Sequence, residues 1–390
     1  MGHGHSHGHE DADPPALHRI ASIALWPAVA VVGVLTLVAL TLIWPSGDSN
    51  FEDPLLLDAD PISATVVSDQ LVPCYYDASQ DCRLIGFEML DGPFEGEFGT
   101  IEQGAASPLD VGDGVIVVAY ESADGDVQFS FQDYRRGWPM IILVALFVGA
   151  VLALGRWRGI GAIAGLGFSL IVITGFTLPA ILDGTNAVAV ALVTASLIAF
   201  AALFLAHGFE IATAVALLST FGSLVITAVL ARIFVGVTSL TGLTDDSSVL
   251  LGGLDNSIDP RGILLAGIVI GALGVLDDVT VTQVSAVWEL KRARPEMTTV
   301  ELMRPALRIG RDHISSTVNT LFLAYAGAAL PLLLLFTEAG QGITGVLTRE
   351  VVATEIVRAL VGSIGLVASV PLSTWLAAVV VSGEPARHRH

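Results

Sequence analysis

Long apolar runs recur along the chain, and their lengths predict transmembrane helices. A bilayer core about 30 Å thick needs about 20 mostly apolar residues per helix. The first run has about 25 such residues, too many for the apolar part of a cleaved signal peptide, which has roughly 7–15. The predicted spans are 20–44, 138–155, 159–180, 186–206, 210–235, 262–288, 314–336 and 352–381.

Between the first two spans, the pattern changes to an alternation of apolar and polar residues, which is typical of β-strands. Segments rich in Gly, Asp and Pro separate the alternating runs and supply turns. Five short strands of this kind predict a small barrel or sandwich. Its role could be to bind a ligand, to gate, or only to cap the membrane part. The predicted strands are 64–69, 84–89, 97–101, 115–120 and 127–132.

The composition agrees with a membrane protein. Hydrophobic residues make up 53% of the chain and charged residues 14%, whereas soluble domains have about 25% charged residues. The formal net charge of −20 excludes a nucleic-acid binder, which would be basic. The predicted fold class is therefore an α-helical polytopic membrane protein of about eight transmembrane helices. A small extracytoplasmic all-β domain lies between helices 1 and 2.

The charges also predict an orientation. Residues 45–137 contain 19 Asp and Glu against three Arg, a local charge of −16. If the N-terminus is inside, the inside segments hold eleven Lys and Arg and the outside segments five. Because positive charge stays inside, both termini are expected in the cytoplasm. The predicted parts are a disordered His-rich tail at 1–19, a helix at 20–44, the acidic β-domain at 45–137, seven membrane helices at 138–381 and a tail at 382–390.

Polar side chains in the sixth and seventh spans line up on one face of each helix. At about 100° per residue, the four of the sixth span fall within an arc of about 60°, and Asp277 points away from it. The row of the sixth span is Asp278, Thr282, Ser285 and Glu289. The row of the seventh span is Asp312, Ser316 and Asn319, with Thr320 beside it.

Two interpretations of these rows stay open. Ionisable side chains inside a membrane are costly and usually functional, and oxygen ligands suit a cation or a proton path. Alternatively, Ser, Thr and Asn form hydrogen bonds that hold membrane helices together without any transport role. The cost of burying Asp278 favours the functional interpretation for that residue.

The eighth span carries a charged pair, Glu355 and Arg358, three residues apart. The pair predicts either a structural salt bridge near the outer surface or an outer gate. In the third span, Gly161 and Gly165 form a GxxxG pattern, which indicates close helix packing.

Cys74 and Cys82 are the two cysteines of the chain, and both lie in the predicted outer domain. A disulfide is favoured there, with two free thiols as the alternative. A metal site would need two further ligands, and residues 45–137 contain no histidine.

The N-terminus begins with four histidines, His3, His5, His7 and His9, interleaved with glycine and serine. Neutral imidazoles can bind zinc, nickel or copper, but such tails are commonly disordered passengers. The disordered tail is the favoured interpretation, and a divalent metal here is the alternative to a chain without cofactors.

Three segments resemble the YibE/F-like family of bacterial membrane proteins. The residues are 267–283 (GIVIGALGVLDDVTVTQ), 309–330 (IGRDHISSTVNTLFLAYAGAAL) and 355–371 (EIVRALVGSIGLVASVP). The resemblance extends over about 140–371 and is only general for the β-domain. Asp277 departs from the family pattern, in which an apolar residue is expected. The positions that match family motifs are Asp278, Arg311, Asp312, Asn319, Thr320, Glu355 and Arg358.

The resemblance implies a permease-like protein of the bacterial cytoplasmic membrane and does not indicate a substrate. The main hypothesis is a transporter or permease subunit for an ion or small polar solute. The alternative is a scaffold or sensor whose β-domain binds a ligand or partner. An intramembrane hydrolase is a third hypothesis, and no enzyme is expected; the chain has no Walker A motif. The expected partners are the lipid bilayer and a second copy or another membrane subunit.

Overall fold

The computed structural model describes residues 16–46, 60–121, 127–244, 258–338 and 342–382, and it is mostly helical. The histidines of the N-terminal tail lie outside these residues. Contacts divide the chain into two compact units, one within residues 1–49 and 151–390 and one within 50–150.

The unit within 50–150 contains five antiparallel strands in the order β3-β2-β1-β4-β5. The prediction of a small all-β structure in this part of the chain is thus confirmed, whereas its place outside a membrane stays a prediction. The strands are β1 (Ile62–Pro73), β2 (Asp81–Met89), β3 (Phe98–Gly104), β4 (Gly114–Glu121) and β5 (Val127–Tyr134).

β1 lies between β2 and β4 and pairs with both. Residues 62–65 pair with β4, and the pairing with β2 extends to Pro73, with an irregularity between Val66 and Ser68. Such a bulge bends a strand and increases its twist. The ring of Phe129 on β5 meets that of Phe87 on β2 edge-on, with centroids 5.7 Å apart. A Cβ added to Gly99 on β3 would lie 2.6 Å from the Phe87 ring and 2.9 Å from that of Phe129. The sheet therefore curls until its edge strands β3 and β5 approach, as in a partly open barrel.

An arginine fastens the loop after β3. Arg83 donates to both oxygens of Asp69, at 3.1 and 2.7 Å, and to the carbonyl oxygens of Ser107 and Leu109. Its hydrogen bond to Asp69 lowers the pKa of that carboxyl group. The ion pair joins β1 to β2, and the bonds of Arg83 to the two carbonyl oxygens link this hairpin to the loop between β3 and β4.

The remaining elements are helical. They are α1 (Ala16–Leu42), α2 (Gly137–Val172), a π-helical turn (Ile173–Thr177), α3 (Leu178–Leu182), α4 (Ala187–His207), α5 (Ile211–Val237), α6 (Pro260–Ala293), α7 (Thr299–Ala328), α8 (Leu330–Glu338), α9 (Ile343–Leu347) and α10 (Glu350–Ser382).

Within the described residues, seven segments are long and apolar enough to cross a membrane, and each coincides with a predicted span. They are Ile23–Leu42, Gly137–Trp157, Gly159–Leu182, Ala187–His207, Ile211–Val237, Pro260–Ala293 and Glu350–Ser382. The predicted span 314–336 falls on α7 and α8, which are bent by 58° against each other. The helical dihedrals of α2 are interrupted at Arg156, where φ is 51°.

Local signals explain several helix starts. Asp259 accepts a hydrogen bond at the start of α6 and is followed by Pro260, which suits the first helical turn. Thr298 and Glu301 form a capping box at the start of α7. α6 then packs against α4, α5, α7 and α10. Like α5 and α10, it therefore packs against four other long helices of the unit.

The GxxxG pattern of α2 packs against α4. A Cβ at Gly161 would collide with the Leu205 carbonyl oxygen, and one at Gly165 would lie 3.3 Å from the Cα of Ala202. The two backbones approach as closely as small residues allow.

We expect Gly161→Val to destabilise the helical unit by about 3 kcal/mol, at the upper end of the cost of overpacking. The reason is that the new side chain would meet backbone, which cannot rotate away. The control is Gly167→Val in the same helix, where an added Cβ has no heavy atom within 4 Å. Thermal unfolding of both variants in one detergent measures the difference, and equal melting temperatures would contradict the close approach.

Candidate functional site

The predicted polar row of the sixth span lies on the exposed face of α6. Asp278, Thr282, Ser285 and Glu289 are all exposed in this structure. Glu289 accepts a hydrogen bond of 2.6 Å from Arg292, one turn further along the same helix. Among the described residues, no hydrogen bond or ion pair joins the other three to a neighbouring helix. The row therefore lies on a helix face that this unit leaves uncovered.

Three glycines extend this face toward the start of the helix. Gly267, Gly271 and Gly274 continue the spacing of three and four residues. Together with the four polar residues they make seven positions, whose Cα–Cβ directions fall within an arc of about 80° around the helix axis. At Gly267 and Gly274, an added Cβ would have no heavy atom within 4 Å. We call this surface the α6 polar face; it consists of Gly267, Gly271, Gly274, Asp278, Thr282, Ser285 and Glu289.

The row of the seventh span is also exposed. Asp312, Ser316, Asn319 and Thr320 lie on the surface of α7. Thr320 donates a hydrogen bond of 3.0 Å to the Ser316 carbonyl oxygen within the helix. A shallow groove between α7 and α10 is lined by Ser315, Asn319 and Ser363 together with apolar residues. In the described part of the chain, no hydrogen bond links this row to that of α6.

The opposite face of α6 carries buried polar residues that sequence reasoning missed. Thr280 shares a hydrogen bond of 2.7 Å with Thr220 of α5. Gln283 donates to the Ala306 carbonyl oxygen of α7 at 2.8 Å and to the Thr374 hydroxyl of α10 at 2.7 Å. These bonds tie α6 to three neighbouring helices. Polar residues spaced by four indicate a polar interface between helices. The sequence of α5 carries this signal at Ser219, Ser223 and Thr227.

Asp277 lies between the two faces of α6. The carboxyl group is largely buried, and its Oδ1 atom has no hydrogen-bond partner among the described residues. The sequence placed this residue off the polar row, and the structure agrees.

Glu355 and Arg358 form an ion pair at the start of α10. The distance from Arg358 Nη1 to Glu355 Oε1 is 2.7 Å, and the side chains are only 29% and 22% exposed for Arg358 and Glu355. Tyr325 of α7 lies within electrostatic reach of both. A Cβ at Gly271 would lie 3.4 Å from the Tyr325 hydroxyl oxygen. The pair thus stands where α7 and α10 adjoin the α6 polar face.

Cys74 and Cys82 are joined by a disulfide at the end of the β1–β2 hairpin. Glu102 lies beside it, with its carboxylate oxygen and the two sulfur atoms within 4.8 Å of one another. Because the sulfurs are bonded to each other, they are not thiolates and do not serve as metal ligands. Tyr75, between the cysteines, is 96% exposed.

A groove of about 590 Å³ lies between β3 and β5. Its walls are residues 98–103 of β3, residues 127–131 of β5, and Tyr120. Polar side chains such as Glu102, Gln103 and Gln128 line it. This groove is the concave surface of the β-unit that could hold a ligand.

A known protein family shares the sequence pattern of most of the helical part. The model of the YibE/F-like protein family matches residues 143–383, more than half of the chain. The chain belongs to the YibE/F-like family. This confirms the resemblance that the motifs of α6, α7 and α10 carried. No curated protein and no solved structure was found to match the chain. Together with the apolar helices, membership of the YibE/F-like family indicates a membrane protein.

Proposed function

We propose that this YibE/F-like protein is a transporter or permease subunit that moves an ion or a small polar solute along the α6 polar face. The observation that carries the proposal is the uncovered row of Asp278, Thr282 and Ser285 on a helix that is long and apolar enough to cross a membrane. The proposal assigns no catalytic residue and requires no cofactor. A metal at the histidine tail stays a prediction.

A charged side chain inside a lipid bilayer costs free energy. A carboxylate at the centre of a bilayer costs about 2.5–3.5 kcal/mol on insertion scales, and more in simulations. An exposed Asp278 would therefore not face lipid tails; it needs water or protein beside it. Gly267 and Gly274 leave space along the same line. Water and solute in that space, enclosed by a second copy or a partner subunit, would form a polar pathway.

The orientation within this proposal follows the charges. Lys and Arg are concentrated between α6 and the middle of α7, where Lys291, Arg304 and Arg308 lie, and this segment is placed in the cytoplasm. The acidic β-unit is then extracytoplasmic, and both termini are cytoplasmic. The membrane is the bacterial cytoplasmic membrane.

We expect Asp278→Asn to lower the flux to about a tenth while the protein stays folded, because the amide keeps the shape but not the charge. The assay uses proteoliposomes and a panel of H⁺, Na⁺, K⁺, Mg²⁺ and small zwitterions. The control is Glu296→Gln, which removes one negative charge from the exposed loop between α6 and α7. No panel member crossing faster than in empty liposomes, or equal flux in both variants, would contradict the proposal.

A second candidate function is a scaffold or sensor whose β-unit binds a ligand or partner. It is favoured by the polar groove between β3 and β5 and by the exposed Tyr75 and Tyr76 next to the disulfide. Tyrosine is enriched at binding surfaces because it combines a large apolar ring with a polar end. A ligand that protects β3 and β5 from hydrogen exchange, and that does so equally in Asp278→Asn, would support this function instead.

A further inference from the structure

Three buried polar atoms on one turn of α10 have no hydrogen-bond partner among the described residues. They are Thr354 Oγ1, Glu355 Oε2 and Arg358 Nε. The ion pair satisfies only Arg358 Nη1 and Glu355 Oε1. Buried polar groups are nearly always hydrogen-bonded, and each exception needs an explanation such as a bound water or ligand.

Thr354 differs from the other buried hydroxyl groups of its helix. Ser369 donates to the Leu366 carbonyl oxygen at 2.7 Å, Ser373 to Ser369 at 2.7 Å, and Thr374 to Val370 at 2.6 Å. Thr354 is just as buried, at 2% exposed, and makes no such bond. Its hydroxyl group is therefore free to bind something other than its own helix.

The neighbouring helices complete a site around this turn. Tyr325 of α7 lies within electrostatic reach of the charged pair, and its hydroxyl group lies beside Gly271 of α6. Gly271 belongs to the α6 polar face, whose neighbouring glycines are uncovered. We call Thr354, Glu355, Arg358 and Tyr325 the α10 polar cluster. It adjoins the outer part of the proposed pathway.

The chemistry of the free atoms defines the ligand. Arg358 Nε is a positively charged donor, Glu355 Oε2 is a negatively charged acceptor, and the two hydroxyl groups both donate and accept. The charges of the pair cancel, so the cluster offers no net attraction to a simple cation or anion. It suits a molecule that carries both charges. The turn from 354 to 358 spans about 6 Å along the helix axis, which matches a solute with its charges a few ångströms apart.

We propose that the α10 polar cluster binds a small zwitterion, of the size of an α-amino acid. Its carboxylate accepts hydrogen bonds from Arg358 and Thr354, and its ammonium group donates to Glu355. This inference rests on the proposed function and deepens it, because it names the substrate class. Binding is nevertheless measurable without transport.

The test uses the full-length protein in detergent, with glycine as the probe. Glycine is expected to raise the melting temperature in proportion to the logarithm of its concentration, as mass action requires. Acetate carries only the negative charge of a zwitterion and methylammonium only the positive charge. Both are expected to bind at least tenfold more weakly than glycine. No stabilisation by glycine, L-alanine or β-alanine would overturn the proposal and leave water as the partner of the three atoms. Equal stabilisation by acetate or methylammonium would overturn it as well.

Thr354→Val is the decisive variant, because valine has nearly the same shape. The hydroxyl group has no partner in the protein, so the melting temperature without ligand is expected to stay unchanged or rise. Glycine binding is expected to weaken about tenfold. The matched control is Thr374→Val, which loses its hydrogen bonds with Gln283 and Val370. That variant is expected to lose stability but to keep its affinity for glycine.

The outcomes separate this inference from the proposed function. Flux of an ion that depends on Asp278, without binding of any zwitterion, would remove the cluster as a substrate site and keep the transporter. Glycine binding that Thr354→Val weakens, without flux of any kind, would keep the cluster and remove the transporter. Thr354→Val with unchanged glycine affinity would place the zwitterion elsewhere and overturn the inference.

Discussion

Replacing Phe87 by alanine is expected to lower the free energy of unfolding of the β-unit by about 3–5 kcal/mol, the usual range for a buried phenylalanine. Phe87 is 1% exposed. Its ring meets Phe129 of β5 and lies against Gly99 of β3. The side chain therefore joins the two edge strands of the curled sheet, and its removal would leave a cavity where the sheet closes.

Hydrogen exchange of the full-length protein measures this loss within the β-unit alone. Since about 1.4 kcal/mol corresponds to a factor of ten, protection of the amides in β1 to β5 should fall at least a hundredfold. The control is Phe98→Ala on β3, where the ring is 69% exposed and the expected change is within about 0.5 kcal/mol. A similar loss of protection in both variants would show that the core does not close around Phe87.

The sequence predicted the strands because apolar residues alternate with polar ones, as the burial of alternate residues at the start of β1 shows. It placed β1 at 64–69, whereas the strand runs from Ile62 to Pro73. The difference arises because β1 lies between two strands and extends over both pairings, with β4 at residues 62–65 and with β2 at residues 64–73. Pairing with two strands leaves no mark in the alternation. The approach of β3 to β5 was likewise not predictable, since it depends on the contacts of Phe87, Gly99 and Phe129.

The helices were predicted well because hydropathy is summed over about 20 residues, so single exceptions matter little. The exception is the bend between α7 and α8. Pro331 has no N–H to donate to the Gly327 carbonyl oxygen, and its ring would clash with that carbonyl in a continuous helix. This signal was present in the sequence, but the apolar run through 314–336 outweighed it.

For the candidate site, helical periodicity correctly grouped Asp278, Thr282 and Ser285 on one face. It could not show which face of α6 the neighbouring helices cover. That depends on packing between α4, α5, α7 and α10, which no local pattern encodes. The buried Thr280 and Gln283 were missed for this reason. The free atoms around Thr354 were missed as well, because a hydroxyl group without a partner looks like any other threonine in sequence.

Gly274→Leu is expected to abolish flux and to leave the fold intact, which makes it the sharpest test of the α6 polar face. A side chain at this position meets no heavy atom within 4 Å, and leucine favours a helix over glycine by roughly 0.8–1 kcal/mol. The melting temperature should therefore hold or rise. If solute passes along this face one turn above Asp278, the added side chain fills the path, and flux in proteoliposomes falls to the level of empty liposomes.

Gly167→Leu on α2 is the matched control, because it is another helical glycine with no heavy atom within 4 Å of an added Cβ. Its flux should equal that of the unchanged protein, since its neighbours one turn away on the same helix face are apolar. These neighbours are Ile163, Ala164, Leu170 and Ile171. Unaltered flux in Gly274→Leu, alongside loss in Asp278→Asn, would mean that solute reaches Asp278 without passing Gly274. Loss of stability or a smaller assembly on size exclusion in Gly274→Leu would instead show that another helix, from a second copy or a partner, packs on this face. The glycines and Asp278 would then form an interface, and the pathway would have to be sought along α7.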